Sequence, residues 1–252
     1  MTQQTFNLLI YIWIGLAILM LPFQLWITAP YGRHSNDRWG PRLSNKLGWM
    51  IMEIVSPIAF ALGLIGGDFS NSNVVWFIFA LWVLHYLHRS IVYPLRTQTM
   101  GKKIPLVIVL SAMLFNAFNG WSNGFYLSAP WSDYTDEWFH DPRFAAGLLI
   151  FLTGAVINIW ADNRLIALRT SGNRDYTIPR GGLFSYVSCP NHLGEIIEWI
   201  GFAVLCWNLP AVSFSIWTAT YLGARAWSHH IWYRKKFADY PKQRRAIIPY
   251  IL

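Results

Sequence analysis

Cysteine is scarce in this chain: only Cys189 and Cys206 occur, so neither a disulfide framework nor a zinc-ribbon spacing can be built from it. Charge is scarce as well. Charged side chains make up 13% of the 252 residues and hydrophobic ones 54%, whereas a soluble domain carries about a quarter of its residues charged. No G-x-G-x-x-G fingerprint links a strand to a helix, which excludes a Rossmann domain as the holder of a dinucleotide. No basic stretch precedes the first apolar run, which is too long for the core of a cleaved leader and reads as a retained helix. Internal repeats and low-complexity stretches are absent too.

Apolar runs fill the space. Mean hydropathy is +0.31, and fifteen tryptophans fit a chain whose solvent is partly lipid. Crossing the hydrocarbon as a helix takes about 20 mostly apolar residues. Runs at 6–27, 47–64, 74–93, 105–121, 144–160, 193–207 and 211–232 meet that need. Asn208-Leu209-Pro210 separates the last two and allows only a tight antiparallel pair. The expectation is an all-α membrane protein, with seven transmembrane helices in one domain over residues 1–252.

The formal charge of +8 invites a nucleic-acid reading, but the basic residues lie in loops between apolar runs. Arg33, Arg38, Arg42 and Lys46 occupy the first loop. The third holds Arg96, Lys102 and Lys103, with Arg89 shortly before. Arg164, Arg169, Arg174 and Arg180 follow the fifth run, and the last run and tail carry Arg225, Arg234, Lys235, Lys236, Lys242, Arg244 and Arg245. The intervening loops hold Asp68, Asp133, Asp136, Glu137 and Asp141, with Arg143 their one basic residue. This alternation predicts an external N-terminus and a cytosolic C-terminus. The bilayer is the expected partner; nucleic acid and an obligate protein partner are not. A bacterial host implies the cytoplasmic membrane, a eukaryotic one the endoplasmic reticulum.

Polar residues inside apolar runs are costly and mark sites facing the bundle interior. Glu53 interrupts Trp49-Met50-Ile51-Met52-Glu53-Ile54-Val55 and shares a helix face with Trp49. The plain alternative is a carboxyl that ties two helices together. His85-Tyr86-Leu87-His88-Arg89 closes the third run, with Arg96 seven residues beyond Arg89; its histidines lack a convergent third ligand, so a metal is not expected. For Tyr86 the plain alternative is a packed ring with a satisfied hydroxyl. Asn158, Asp162 and Arg169 share one face if the fifth helix continues. A loop with Gly172, Gly181, Gly182 and Tyr176 follows. Asn191, Glu195 and Glu198 recur at i, i+4, i+7, and Arg225, His229 and Tyr233 at i, i+4, i+8. A solvated helix end accounts for one such stripe; three near the cytosolic interface point to a polar chamber. Arginine and lysine suit phosphates, Asn and Asp suit sugar hydroxyls and an amide, and aromatic rings suit a planar base. Such a chamber would take a dinucleotide, beside a lipidic substrate reached by the deep acid and tyrosine.

At these residues the sequence resembles the steroid 5α-reductase (3-oxo-5α-steroid 4-dehydrogenase) family, along almost the whole chain. The matching segments are Tyr31-Gly32-Arg33-His34, Glu53 in its helix, His85-Tyr86-Leu87-His88-Arg89, Asp141-Pro142-Arg143-Phe144, Ile157-Asn158-Ile159 and Ile178-Pro179-Arg180-Gly181-Gly182-Leu183-Phe184. Asn191-His192-Leu193-Gly194-Glu195-Ile196-Ile197-Glu198-Trp199 follows. The tail adds Arg225-Ala226, His229-His230, Tyr233, Tyr240-Pro241-Lys242 and Ile248-Pro249-Tyr250. The resemblance implies NADPH-dependent reduction of the C4–C5 double bond of a Δ4-3-oxosteroid. It assigns Glu53 and Tyr86 to the 3-keto oxygen, with Trp49 beside them at the substrate. To the cofactor it gives Asn158, Asp162, Arg169, Tyr176, Asn191, Glu195, Arg225, His229 and Tyr233, joined by Arg33, Arg89 and Lys103 from the basic loops. Two departures stand out: Met52 occupies a position where the family often has Gln, and the Arg-Gly-rich turn after the third span becomes Gln98-Thr99-Met100-Gly101-Lys102-Lys103.

The implied chemistry suits these residues. Hydride addition to an enone places negative charge on the carbonyl oxygen, and donors aimed there lower the barrier. Tyrosine is a donor at neutral pH; a carboxyl donates only when protonated, the form that apolar surroundings favour. Rival readings are a reductase of another enone or polyprenol lipid, a S-adenosylmethionine-dependent membrane methyltransferase, and a non-catalytic lipid-binding protein. Glu53 and Tyr86 would be idle in the second, and the arginine and asparagine stripes in the third.

Overall fold

The computed structural model describes residues 1–36, 38–65, 67, 72–99, 101–169 and 176–252. Asp68, Met100, Gly172 and Arg174, used above, lie outside the described residues. A helix forms at each of the seven apolar runs. They are α1 (Gln3–Trp26), α2 (Asn45–Leu64), α3 (Asn73–Leu87), α5 (Leu106–Ser128), α6 (Pro142–Ala167), α7 (Pro190–Cys206) and α8 (Leu209–Lys236). A π-helical turn at His88–Val92 and a short α4 (Tyr93–Arg96) prolong α3. Among the described residues, five helices are long and apolar enough to cross a bilayer: α1, α2, Asn73–Arg96, α5 and α6. The chain is a multi-pass membrane protein. Its surface agrees, since Leu16, Ile18, Leu19 and Trp26 of α1 are exposed, as an outside facing hydrocarbon allows.

Local signals explain the helix ends. Thr2 caps α1 by accepting from the Thr5 amide at 3.2 Å. Pro190 opens α7, and Trp207 ends it in the left-handed region at φ 48°. Asn208 then accepts from the Ala211 amide at 2.9 Å and caps α8, which starts at the next residue, Leu209. In the first turn of α6, Arg143 binds Asp141, just before the helix, through its amide (2.8 Å) and guanidinium (2.7 Å), which holds that carboxyl down to about 2.

The chain divides into two compact units, Met1–Thr28 with Ala146–Leu252, and Ala29–Ala145. In the first, α1 lies on α8: Trp13 and Trp217 rings are 4.8 Å apart, and Trp217 Nε1 donates to the Trp13 carbonyl at 3.0 Å. Four glycines let α6 and α7 touch backbone to backbone. A Cβ at Gly147, Gly154, Gly194 or Gly201 would collide with main-chain atoms of Leu205, Glu198, Asn158 or Phe151.

In the second unit α2 and α5 meet in the same way. Cβ atoms at Gly120 and Gly124 would strike the carbonyls of Ser56 and Phe60. Trp82 of α3 donates to Ser56 Oγ at 3.2 Å, and its ring lies 5.1 Å from Phe60. The all-α expectation needs one amendment. Strands β1 (Arg42–Ser44) and β2 (Lys103–Pro105) pair antiparallel, Leu43 opposite Ile104, and tie together the segments that lead into α2 and α5. Strands this short carry too little alternation to be read from sequence.

Replacing Gly154 by Val is expected to lower stability by about 1–3 kcal/mol through overpacking. Gly15→Ala in α1, where nothing lies within 4 Å, is expected to be neutral or mildly stabilising. Thermal melting in detergent checks the pair; equal melting temperatures would contradict the backbone contact.

Candidate active site

The close approach of α2 and α5 fixes the first polar group. Gly120 sits opposite Ser56 and Gly124 opposite Phe60; one turn earlier, Asn116 falls opposite Met52 and Glu53. Asn116 is 4% exposed, and its Nδ2 donates to the Met52 carbonyl at 2.7 Å and, at 3.5 Å, to Glu53 Oε2. Tyr86 enters from α3, 3% exposed with its ring 5.4 Å from Trp82, and its hydroxyl donates to Asn116 Oδ1 at 3.5 Å. An acid and a phenol thus reach one amide inside apolar helices. Trp49, one turn before Glu53, lies between Tyr31 and Tyr93 at 6.1 Å from each ring. The Arg89 guanidinium sits 5.2 Å from the ring centres of both Trp49 and Tyr93, an arrangement of cation–π type. Arg33 is half-buried in the turn Gly32–His34, and Lys103 is exposed on β2 opposite Ser44.

The α6–α7 contact fixes the second group. Because Gly194 lacks a Cβ, the backbone of Asn158 comes against α7. Asn158, 2% exposed, then donates to the Asn191 carbonyl at 2.9 Å and to Glu195 Oε2 at 3.4 Å. Asn191 in turn donates to Asp162 Oδ1 at 3.0 Å, and Asp162 is 2% exposed. Just past α6, the Arg169 guanidinium lies 5.5 Å over the Tyr176 ring, which meets Trp232 of α8 edge-on at 4.9 Å. On α8, Arg225 is buried, His229 lies 5.6 Å from the His192 ring, and Tyr233 is 2% exposed. The described groups offer amides and carboxylates for hydroxyls and a carboxamide, guanidinium groups for phosphates and stacked rings. That donor set fits a dinucleotide.

Two further groups escaped the sequence reading. Asn116, Asn119 and Asn123 recur at i, i+3, i+7 along α5, a stripe like that of α7, but the apolar run ends at residue 121 and leaves Asn123 outside it. The second is a clasp on the tail. Ser188 Oγ lies 2.7 Å from His230 Nδ1 and 2.6 Å from Tyr240 Oη, and the Ser188 amide donates to the Arg245 carbonyl at 2.8 Å. Tyr240 stacks on Tyr233 at 5.3 Å and 9°, and burial pushes its hydroxyl above the usual phenol range. Ser188 carries no periodicity, so nothing in the sequence marked it.

Known proteins resemble this chain closely. A family model described as 3-oxo-5-alpha-steroid 4-dehydrogenase matches residues 102–252. The chain is 40% identical over 255 residues to the steroid 5-alpha-reductase DET2 of Gossypium hirsutum, covering 96% of each. It is also 40% identical over 235 residues to 3-oxo-5-alpha-steroid 4-dehydrogenase 2 of Homo sapiens, covering 90% of each. Against 3-oxo-5-alpha-steroid 4-dehydrogenase 1 of Macaca fascicularis it is 38% identical over 224 residues, 88% of this chain and 84% of the other.

Ser188→Ala removes the shared hydroxyl and leaves His230 and Tyr240 without it. The expected loss is about 1–3 kcal/mol, the penalty for buried polar groups stripped of a partner. Tryptic cleavage after the exposed Lys242 should accelerate while far-UV circular dichroism stays the same. An unchanged digestion rate would contradict the clasp.

Proposed function

We propose, because this chain belongs to the 3-oxo-5-alpha-steroid 4-dehydrogenase (steroid 5-alpha-reductase) family, that it uses NADPH to reduce the C4–C5 double bond of a Δ4-3-oxosteroid to the 5α-dihydro product. Membership makes it an oxidoreductase acting on steroids. The observation that carries the finer reading is the convergence of Glu53 and Tyr86 on Asn116 within apolar helices.

When bound, NADPH would supply the hydride for C5, and a proton for C4 would come from solvent or a nearby group, which balances as a two-electron, two-hydrogen reduction. The chain's own residues govern where charge develops. Tyr86 and a protonated Glu53 donate to the 3-keto oxygen as it becomes an enolate, in surroundings that raise the worth of each donor. Trp49 lines the substrate side. Asn158, Asp162, Asn191 and Glu195 would hold ribose hydroxyls and the carboxamide. Arg169, Arg225, Arg33, Arg89 and Lys103 would meet phosphates, with Tyr176, His229 and Tyr233 packing on the cofactor's rings. α7 and α8 complete a seven-span topology with the N-terminus outside and the C-terminus cytosolic, residues 1–252 acting as one reductase domain.

Purified protein in detergent, incubated with NADPH and testosterone or progesterone, is expected to yield the 5α-dihydrosteroid by mass spectrometry; no product with either steroid would refute the reading. Glu53→Gln and Tyr86→Phe should each lower kcat by about 10²–10³-fold, the usual loss for a donor at a developing oxyanion. Near-normal turnover in both would remove the assignment. Arg169→Ala is expected to raise the KM for NADPH at least about tenfold, with the steroid KM little changed, since an arginine–phosphate contact is charge-assisted. A change confined to the steroid KM would place Arg169 elsewhere.

A further inference from the structure

Asn116 lies on the face of α5 that meets α2, and its amide touches both Glu53 and Tyr86. We infer that Asn116 is a positioning residue for the ketone-polarising pair: its amide orients the Glu53 carboxyl and parks the Tyr86 hydroxyl until a ketone oxygen replaces it. This rests on the roles proposed above for Glu53 and Tyr86.

The orientation of the amide follows from its firmest contact. A main-chain carbonyl only accepts hydrogen bonds, so the 2.7 Å contact to Met52 obliges the NH₂ end to face α2. Two consequences follow. The second Nδ2 hydrogen is aimed at Glu53 Oε2, which makes Oε2 the accepting oxygen and leaves Oε1 as the one to carry a proton and donate. Oδ1 faces the other way and can only accept, so at rest the Tyr86 hydroxyl must be the donor in that contact.

The distances separate anchor from working end. The bond to the Met52 carbonyl is short, whereas the contacts to Glu53 and Tyr86 are both 3.5 Å, at the long limit for a hydrogen bond. A long bond is weak, so the tyrosine hydroxyl exchanges Asn116 Oδ1 for a ketone oxygen at little cost. Met52 itself is apolar and packs with Ile104 and Val109.

The test is a double-mutant cycle on purified enzyme, with NADPH and a Δ4-3-oxosteroid. Asn116→Leu removes the amide, and Asn116→Asp keeps its shape but removes both N–H donors. Each is expected to lower kcat by about 10–100-fold with the KM for NADPH changed less than twofold. In the Tyr86→Phe background Asn116→Leu should cost less than in the wild type, because only the contact to Glu53 is left to lose. In a Glu53→Gln/Tyr86→Phe background it should lower residual kcat less than twofold, because both partners are gone. Should Asn116→Leu fail to fold, Asn116→Asp and Asn116→Ala carry the measurement. Wild-type kcat in the Asn116 variants, or an undiminished loss from Asn116→Leu once both Glu53 and Tyr86 are replaced, would overturn the inference and leave the proposed reaction standing, provided Glu53→Gln or Tyr86→Phe shows its expected loss. Normal turnover in both Glu53→Gln and Tyr86→Phe would overturn both.

Discussion

Helix backbones in direct contact are the constraint from which the polar groups of this protein follow. Within a bilayer the hydrophobic effect gives helices no reason to associate, so van der Waals packing and interhelical hydrogen bonds must do it. Glycine removes the side chain that would hold two helices apart. In the α6–α7 pair this occurs at Gly147, Gly154, Gly194 and Gly201, and in the α2–α5 pair at Gly120 and Gly124. At that separation short side chains span the gap. Asn158 reaches the Asn191 carbonyl and Asn116 the Met52 carbonyl, neither of which an amide would reach across an interface spaced by leucines.

The same contact settles which polar groups are tolerable. A buried amide or carboxylate is costly unless its donors and acceptors are engaged, and more so where lipid replaces water. Asn158, Asp162, Asn191 and Glu195 engage one another across two helices. In the second unit an amide, a carboxyl and a phenol do so across three. Both groups are therefore held together by contacts within the protein itself.

Much of this was legible in the sequence, for physical reasons. Apolar runs located every long helix, because a span must satisfy its backbone internally and present hydrocarbon outside. Isolated Glu53 and the stripes at Asn191 and Arg225 stood out because a polar residue in such a run is rarely idle. Hydropathy misled at helix ends. It closed α5 at residue 121, although the helix continues to Ser128, because Ser122, Asn123 and Gly124 look like a loop to a scale that cannot see α2 against them. It likewise closed the fifth span at residue 160, while α6 runs on to Ala167. Contacts set by tertiary approach, such as the Ser188 clasp or the pairing of Leu43 with Ile104, join segments 42 to 61 residues apart and leave no local trace.

The π-helical turn at His88–Val92 alters the arithmetic of faces along its helix. A wider turn accommodates an extra residue, so everything after it is out of phase with a regular helix by about a quarter of a revolution. Arg89 and Arg96, seven residues apart, would share a direction in an unbroken α-helix; here the wide turn divides them. Buried Ser90 lies within it. Angular position is thus decoupled from sequence distance at this one place: Tyr86, Ser90 and Pro94, at intervals of four, are all buried, although in a regular helix the last would have drifted about 80° round the axis from the first.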